Sequence, residues 1–282
     1  RVVDIFGGLE DMERRLIRAV GDPLERFLED GLRPLRACRF AGKLGFAIEP
    51  ATFAAIGGAL DVFRQVAAER VREELMKIME VPKPSVSLEA MRKSGLLEIV
   101  LPELVAGYGV EQNEFHKYDV YHHNLKSCDA APADQPVIRF AALLHDIGKV
   151  QARENSLRRN PEGDAVFYNH EMIGMRMADR IMRRLRFSNS DRQLVTHLIQ
   201  HHMFHYTDEW TDGAVRRLMR NVGVEYLEPL FTLRRADRSG NGMKQGPAKS
   251  LQKLKKRIEA VLEAENAITV RDLAINGDDI ME

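Results

Sequence analysis

The chain has 282 residues, which is enough for a large hydrophobic core and for two domains. Its 42 basic and 42 acidic side chains give a net charge of zero, which excludes a wholly basic nucleic-acid-binding surface but not a local basic face. No apolar run approaches the roughly 20 residues of a membrane span, and neither the start, RVVDIFGG, nor the two distant cysteines are typical of a secreted protein. We therefore expect a cytoplasmic protein without membrane contact.

The first elements are short and irregular. VVDIF, at residues 2–6, is compatible with a strand, FGG with a tight turn after it, and GDP, at 21–23, with a helix that has proline at an early position. Asp30, Arg33 and Arg36 are spaced three apart, which predicts that they share one helix face. Such a face is suited either to exposed ion pairs or to presenting an acceptor and donors to a nucleotide base.

Most of the remaining sequence has the apolar spacing of amphipathic helices, most clearly at 171–187 and 250–267. Ser188 or Ser190, and the pair Thr211 and Asp212, indicate helix starts. VPKPS, at 81–85, interrupts the pattern, and NPEGD, at 160–164, predicts a small β-hairpin insertion. The fold class is therefore mainly α, with a boundary near residue 110 between a helical body and a second helical domain.

Nine histidines are present, and most of them fall between residues 116 and 205. The stretch FAALLHDIGK ends a predicted buried helix on His145 and Asp146, whose polar groups are costly to remove from water without partners. The partners are either ordinary hydrogen-bonding groups or a divalent ion, which favours imidazole and carboxylate ligands converging from several helices. His197 and His205 are more typical of core histidines with one backbone partner, and His116 of a loop.

Five motifs follow one another along the chain: VYHHNLKS, LLHDIGK, FYNHEMIG, LIQHHM and RRADRSG. In this order they resemble the HD superfamily of metal-dependent phosphohydrolases. The resemblance implies a catalytic pair, His145 and Asp146, within a set of metal ligands: His123, His145, Asp146, His170, His202 and Asp237. His201 is the alternative to His202 if the register shifts by one residue. Lys149 is either a contact for a substrate phosphate or a solvated loop lysine.

The resemblance also implies a cofactor and a chemistry. Histidine and aspartate ligands accept several divalent ions, so Ni, Mn, Co, Fe or Zn is expected at this site. His170 and His202 match the additional histidines of members that hold two metals. A bound ion lowers the pKa of its water and polarises a phosphoryl oxygen, as the hydrolysis of phosphomonoesters or 2′,3′-cyclic phosphates requires.

The amino-terminal third carries a second resemblance. DIFGGLED, EDGLRPLR and AERVREELMKIM resemble, in this order, the class II family of tRNA nucleotidyltransferases (CCA-adding enzymes) and bacterial poly(A) polymerases. The resemblance implies that Asp30 and Arg33 recognise the base of CTP or ATP and that Arg36 supports them. It implies a bracing role in a neck helix for three further residues: Glu69, Arg70 and Glu73.

Two residues depart from that family's pattern. Gly31 and Pro34 lie within EDGLRPLR, where the family usually has helix formers. In a helix interior they cost about 1 and about 3 kcal/mol relative to alanine. The cost of Pro34 becomes small if Asp30 lies close to the start of the helix, and otherwise base recognition by this motif is in doubt.

The family's catalytic head precedes DIFGG and carries a Gly-rich phosphate loop and a DxD pair that binds two Mg²⁺ ions, and neither motif occurs in this sequence. We therefore expect a piece of a longer protein. Residues 1–110 would be the RNA- and nucleotide-binding neck and body, 111–265 the HD phosphohydrolase domain, and 266–282 the start of a truncated tail region.

The implied partners are tRNA, through its acceptor arm and 3′ end, and CTP and ATP in the full-length protein. The implied function is tRNA 3′-end processing by a tRNA nucleotidyltransferase with an HD phosphohydrolase domain. The alternatives are a member of the poly(A) polymerase family and a tRNA-binding body with an inactive HD site.

Basic residues also form local groups, and each predicts either a stripe along an RNA backbone or a solvated face with acidic neighbours. The groups are Arg180, Arg183, Arg184 and Arg186; Arg216, Arg217 and Arg220; and Lys253, Lys255, Lys256 and Arg257.

Overall fold

The computed structural model of the chain describes residues 3–112, 117–159, 166–243 and 249–266. In these residues α-helices dominate and the strands are few and short, so the mainly-α prediction is confirmed. The amino-terminal part contains α1 (Gly8–Glu13), β1 (Leu16–Ile17), α2 (Pro23–Glu29), α3 (Arg33–Leu44), β2 (Ala47–Ile48), α4 (Pro50–Gly58), α5 (Leu60–Phe63), α6 (Ala68–Met79), α7 (Pro84–Lys93), α8 (Leu96–Val100) and α9 (Pro102–Val105).

The second part is helical in its described residues. It contains α10 (Val120–Ala130), α11 (Pro136–Leu144), α12 (Gly148–Arg159), α13 (His170–Arg184), α14 (Asn189–His201), α15 (Asp212–Val222), α16 (Val224–Gly240) and α17 (Lys249–Asn266). Helices α13 and α17 correspond to the amphipathic stretches predicted at 171–187 and 250–267.

Prolines and polar caps define where many helices begin. A proline lies in the first turn of α2, α3, α4, α7, α9 and α11, where its missing N–H has no helical partner to lose. The side chains of Ser188 and Thr211 accept hydrogen bonds from backbone amides in the first turns of α14 and α15. Ser188 is therefore the cap of α14, whereas Ser190 lies inside the helix.

Both β predictions need correction. The described residues 3–6 form no strand, because the Asp4 carboxylate accepts hydrogen bonds from the amides of Gly8 and Leu9 and folds this segment onto the start of α1. The strands that do form are β1 and β2, which pair in parallel with Leu16 opposite Ala47. The predicted hairpin turn at 160–164 lies outside the described residues. The stretch before it is helix α12 rather than a strand, and residues 166–169 form no strand.

Helices of the two parts pack into one hydrophobic core, with α10 lying between α7 and α16 and with α11 lying against α6. Buried polar groups fix this junction. The guanidinium of Arg139 donates to the carbonyl oxygens of Met79 and Val81 at 2.7 Å each and to that of Cys128 at 2.9 Å. The last turns of α6 and α10 are thereby joined to α11, the helix that leads to His145.

Candidate metal centre

Six predicted residues are carried by the ends or inner faces of five helices. His123 projects from α10, His145 caps the end of α11 with Asp146 directly after it, and His170 is the first residue of α13. His202 caps the end of α14, and Asp237 lies in α16. Four of the six residues are at most 2% exposed, so their polar atoms must find partners inside the protein: His123, His145, Asp146 and His202.

Glycine at position 148 brings two of these elements together. A Cβ atom on Gly148 would lie 2.1 Å from the carbonyl oxygen of His170 and 2.5 Å from the amide nitrogen of Gly174. The start of α12 therefore packs directly on the backbone of α13, and the chain that has just supplied Asp146 meets the helix that supplies His170. Only a residue without a side chain permits this approach.

One group of ligand atoms surrounds the Oδ2 atom of Asp146. The Nε2 atoms of His123 and His145 each lie 3.3 Å from it and 3.2 Å from each other. Asp237 approaches the same histidines, with its Oδ1 atom 3.2 Å from His123 Nε2 and 3.7 Å from His145 Nε2. Two imidazoles and two carboxylates thus face a common point.

A second group surrounds the other oxygen of the same carboxylate. Asp146 Oδ1 lies 3.3 Å from His170 Nε2 and 3.6 Å from His202 Nε2, and these two nitrogen atoms are 3.4 Å apart. Within the described residues, two sets of ligands meet the spacing required to hold a metal ion, and Asp146 belongs to each: His123, His145 and Asp146, and Asp146, His170 and His202. The carboxylate is therefore placed to bridge two neighbouring positions.

The local hydrogen bonds orient the imidazole rings toward these positions. The Nδ1 atoms of His145, His170 and His202 lie 2.7–2.8 Å from the carbonyl oxygens of Ala142, Phe167 and Ile199, respectively. Carbonyl oxygen only accepts, so each Nδ1 carries the proton and the facing Nε2 presents its lone pair inward. The inward lone pairs of His170 and His202, whose Nε2 atoms are 3.4 Å apart, repel each other unless a cation or a proton lies between them, so the donor set fits a divalent ion.

The electrostatics of the site favour positive charge at its centre. Burial opposes protonation of His145, but the charge of Asp146 outweighs it and raises the pKa of His145 to about 10. Burial also opposes the charge of the Asp146 and Asp237 carboxylates. Their interactions with His145 and other facing groups outweigh burial and hold the pKa of both carboxyls well below the ordinary range. The pKa of His202 is lowered, chiefly by burial. The two carboxylates therefore remain charged and require a cation.

Two basic side chains border the cluster. Lys149 is buried in the first turn of α12, with Nζ 2.7 Å from Asp146 Oδ2 and 2.6 Å from Gln112 Oε1, which excludes the solvated-loop interpretation. Arg234 donates to Asp237 Oδ2 at 2.6 Å, and its guanidinium lies 5.4 Å from the centre of the Phe204 ring. The sequence analysis did not predict Gln112 or Arg234 as part of this site. For Arg234, the basic residues that flank Asp237 in RRADR could have indicated it.

A cavity of about 550 Å³ opens onto the ligand cluster and is lined by His145, Asp146, His170, His202 and Asp237. The register question is answered in favour of His202, because the ring of His201 lies instead against that of His197, with ring centres 4.5 Å apart at an interplanar angle of 49°. His197 has the predicted backbone partner, with Nε2 2.6 Å from the carbonyl oxygen of Val222. His205 is exposed and lines the cavity, so its assignment as a core histidine is wrong. His116 lies outside the described residues.

The predicted base-recognition residues do not share one helix. Asp30 is an extended residue after α2, whereas Arg33 and Arg36 belong to α3, so that prediction is wrong for Asp30. The Asp30 carboxylate accepts from Arg70 at 3.0 Å and from the amide of Leu32 at 3.1 Å, and these bonds, led by the one from Arg70, lower its pKa.

The two departures from the family's pattern have structural explanations. Pro34 lies in the first turn of α3, where its cost is small. Gly31 lies against α5, and a Cβ atom there would be 2.8 Å from the carbonyl oxygen of Val62. Arg33 donates to Glu29 at 2.7 Å, and Arg36 is exposed. Glu69 and Glu73 are exposed on α6, beside Arg70.

Many of the clustered basic residues have acidic partners. Arg183 pairs with Asp179, Arg184 with Glu103, Lys253 with Asp208, Lys255 with Glu228, and Arg257 with Asp212. These pairs favour the solvated-face interpretation for α13 and α17. The side chains of Arg216, Arg217 and Arg220 are exposed along α15. In the described part of the chain, every helix is too short or too polar to cross a bilayer.

Two family models match the chain. One is described as "Probable RNA and SrmB- binding site of polymerase A" and matches residues 45–107. The other is described as "HD domain" and matches residues 113–242, which include all six candidate ligands.

Solved structures share the fold at low sequence identity. The chain is 23% identical to the Bacillus stearothermophilus CCA-adding enzyme, solved in complex with CTP, with a TM-score of 0.58 over 99% of this chain and 58% of that one. A tRNA nucleotidyltransferase complexed with a primer tRNA and an incoming ATP analog is 18% identical, with a TM-score of 0.50 over 94% of this chain and 66% of that one.

Curated relatives are closer in sequence. An A-adding tRNA nucleotidyltransferase from Deinococcus radiodurans is 32% identical over 89% of this chain, and a multifunctional CCA protein from Halorhodospira halophila is 34% identical over 86%. The chain spans 57% and 59% of the length of these two relatives. A multifunctional CCA protein from Xanthomonas campestris is 34% identical over 98% of this chain and 68% of its own length. By this similarity, the chain belongs to the family of tRNA nucleotidyltransferases that includes the multifunctional CCA proteins.

Proposed function

We propose that the cluster around Asp146 is the active site of a metal-dependent phosphohydrolase that acts on phosphomonoesters or 2′,3′-cyclic phosphates. The observation that carries the proposal is the division of one carboxylate between two histidine pairs, with Oδ2 facing His123 and His145 and Oδ1 facing His170 and His202. Divalent ions held by these residues would supply activation of a water molecule and polarisation of a phosphoryl oxygen. The residues suit Ni, Mn, Co, Fe or Zn, all of which accept imidazole and carboxylate ligands.

The chain's own side chains have separate tasks in this proposal. The three Nδ1–carbonyl hydrogen bonds hold His145, His170 and His202 in the tautomer that presents Nε2 to the ion. Asp146 and Asp237 balance the charge of the ion. Lys149 and Arg234, which line the same cavity, bring positive charge to the side of the site where a phosphate group would bind.

For the whole protein we propose a tRNA nucleotidyltransferase acting in tRNA 3′-end processing. Support comes from the activities after which the curated relatives are named and from the neck motif held between α2, α3 and α6. Residues 1–110 would bind RNA and nucleotide, and 111–265 would form the HD domain. Asp30, Arg33 and Arg36 would recognise CTP or ATP, Mg²⁺ would serve a catalytic head outside this sequence, and the acceptor arm and 3′ end of tRNA would be the partner. Two buried free thiols, Cys38 and Cys128, support a cytoplasmic location.

A poly(A) polymerase is the second candidate for the whole protein, and the family model that matches residues 45–107 favours it. A third arrangement, a tRNA-binding body whose HD site is inactive, makes the opposite prediction for hydrolysis. The active and the inactive HD site differ in a measurable way, because only the active site requires both bound metal and turnover by this chain.

The test is hydrolysis of 2′,3′-cyclic AMP by the purified chain across a panel of divalent ions, with metal content measured in parallel. We expect metal-dependent turnover that is lost in Asp146→Ala. Arg183→Ala, on the exposed face of α13, is the matched control and should keep full activity. Metal binding without turnover by any ion would contradict the proposal and leave the tRNA-binding body.

A further inference from the structure

The chain just before α10 is tied to the start of that helix. The amide of Val120 donates to the carbonyl oxygen of Val110 at 3.0 Å. The carboxylate of Asp119, the N-cap of α10, accepts from the amide of Gly109 at 2.8 Å. Because α10 also carries His123, the residues around position 110 have a fixed place relative to the ligand cluster.

One side chain of this segment reaches the cavity of the candidate metal centre. Gln112 lines the cavity, where its Oε1 atom accepts from Lys149 Nζ at 2.6 Å and its Nε2 atom donates to the carbonyl oxygen of Tyr118 at 3.0 Å. An ammonium group only donates and a carbonyl oxygen only accepts, so the two partners fix the orientation of the amide. It is therefore the acceptor end of Gln112 that faces Lys149.

Lys149 is held at two points. Its Nζ atom lies 2.7 Å from Asp146 Oδ2 as well as 2.6 Å from Gln112 Oε1, and the residue is buried. An ammonium group has three donors. Asp146 and Gln112 account for two of them, and the third can bond to an oxygen atom in the cavity that Lys149 lines.

The two contacts act differently on the charge of Lys149. Asp146 is a carboxylate and attracts the ammonium group toward the ligand cluster, whereas Gln112 is neutral and holds it without cancelling its charge. A lysine side chain has a flexible four-carbon stem, so a single anchor leaves the direction of its donors open. Without Gln112, the contact with Asp146 alone would not set the direction of the remaining donors.

We infer that Gln112 is a positioning residue for Lys149 and sets the direction in which the ammonium group donates into the cavity. The inference rests on the proposed function in one respect, namely that Lys149 contacts a phosphate group of the substrate. Position 112 lies between the ranges that the two family models match, 45–107 and 113–242. The segment that connects the two parts of the chain thus contributes a residue to the site.

Binding of inorganic phosphate to the Mn²⁺-loaded full chain tests the inference without turnover. Excess metal is removed by gel filtration, and calorimetric titration gives the affinity. Gln112→Met keeps the length of the side chain but removes its acceptor and its donor, and it should weaken phosphate binding roughly fivefold. Gln151→Met makes the same chemical change at an exposed position of α12 and should leave the affinity unchanged. Parental affinity in Gln112→Met would overturn the inference.

A double-mutant cycle with Lys149→Met separates positioning from a general structural role. If Gln112 acts through Lys149, Gln112→Met should change the affinity by less than about twofold once Lys149 is replaced. An equal loss in both backgrounds would overturn the inference. Loss of Mn²⁺ from Gln112→Met, measured by elemental analysis, would also overturn it, because Gln112 would then support the ligand cluster itself.

The outcomes also separate this inference from the proposed hydrolysis. If no metal supports turnover of 2′,3′-cyclic AMP but the phosphate affinities follow the cycle, the hydrolysis fails and the positioning role stands. If turnover is observed but Lys149→Met binds phosphate as tightly as the parent, the hydrolysis stands and the positioning role fails.

Discussion

The guanidinium of Arg139 and the carbonyl oxygen of Met79 meet at 2.7 Å in the interior of the protein. Met79 ends α6, the helix that holds Asp30 through Arg70, and Arg139 lies in α11, the helix that ends at His145. The two candidate sites are therefore connected through a buried hydrogen bond between the helices that position them.

Removing this side chain should destabilise the whole chain. Arg139 is 2% exposed and donates to carbonyl oxygens at the ends of α6 and α10, which alanine would leave buried and unsatisfied. We expect Arg139→Ala to lower the free energy of unfolding by about 3–5 kcal/mol in urea denaturation. Arg180→Ala, at an exposed position of α13, is the control and should stay within about 0.5 kcal/mol of the parent. A loss of less than about 1 kcal/mol for Arg139→Ala would mean that water satisfies these carbonyl groups.

Gly148→Ala should damage the metal centre more than its chemical size suggests. The added Cβ would lie 2.1 Å from the carbonyl oxygen of His170, so α12 and α13 must separate and carry Asp146 away from His170. We expect the variant to lose metal at the His170 position, measured by elemental analysis of the purified protein. Gly57→Ala is the matched control, because its Cβ would have no neighbour within 4 Å and the change should leave metal content intact. Full metal content in Gly148→Ala would show that the helices tolerate the separation.

The division of Asp146 between two groups predicts a stoichiometry. The parent chain should bind two divalent ions, His170→Ala one, and Asp146→Ala none, because the carboxylate belongs to both groups. Metal at about a hundred times its Kd should raise the free energy of unfolding by about 2.7 kcal/mol per site, and chelation should reverse the gain. Isothermal titration calorimetry with Mn²⁺ measures the stoichiometry. A single ion bound by the parent and retained in His170→Ala would contradict the bridging arrangement.

The acid stability of the amino-terminal helices should depend on Glu74 in α6. Burial opposes the charge of its carboxylate, but Lys77 and Arg39 outweigh burial and lower its pKa below the ordinary 4.5. A carboxyl with a depressed folded-state pKa adds stability above its unfolded pKa, and this stability is lost as pH falls through the folded value. Below pH 4.5, we therefore expect Glu74→Gln to weaken the dependence of urea midpoints on pH.

At neutral pH the same substitution should cost about 3 kcal/mol, because Arg39, 2.6 Å from Glu74 and itself buried, keeps its charge without a partner. Glu69→Gln, at an exposed position of the same helix, should alter neither the pH dependence nor the stability. Identical pH profiles for the parent and Glu74→Gln would contradict the prediction.

The sequence was informative where short-range chemistry decides the structure. The amphipathic spacing located α13 and α17. The motif order identified six side chains that the structure brings together. It could do so because polar groups are costly to bury at helix ends and are rarely placed there in such numbers without a ligand. Strands β1 and β2 contain two residues each, too few for an alternating pattern to emerge.

Long-range contacts explain what the sequence did not predict. The helix-face interpretation failed at Asp30 because the backbone is extended there, between the end of α2 and the start of α3, where Gly31 packs closely against the carbonyl of Val62. The partner of Asp30, Arg70, lies in another helix, and the role of Arg139 depends on carbonyl groups in two other helices. Spacing along one helix contains no information about either contact.

Three of the ligand rings take their orientation from the carbonyl group three positions earlier in the chain. The pairs are His145 with Ala142, His170 with Phe167, and His202 with Ile199. Each ligand is thus held by its own end of a helix, and its position is lost as soon as that end frays. Metal release should therefore precede global unfolding during gentle heating. A metal-sensitive dye in the solution would then report the opening of single helix ends, well before circular dichroism detects any loss of helix.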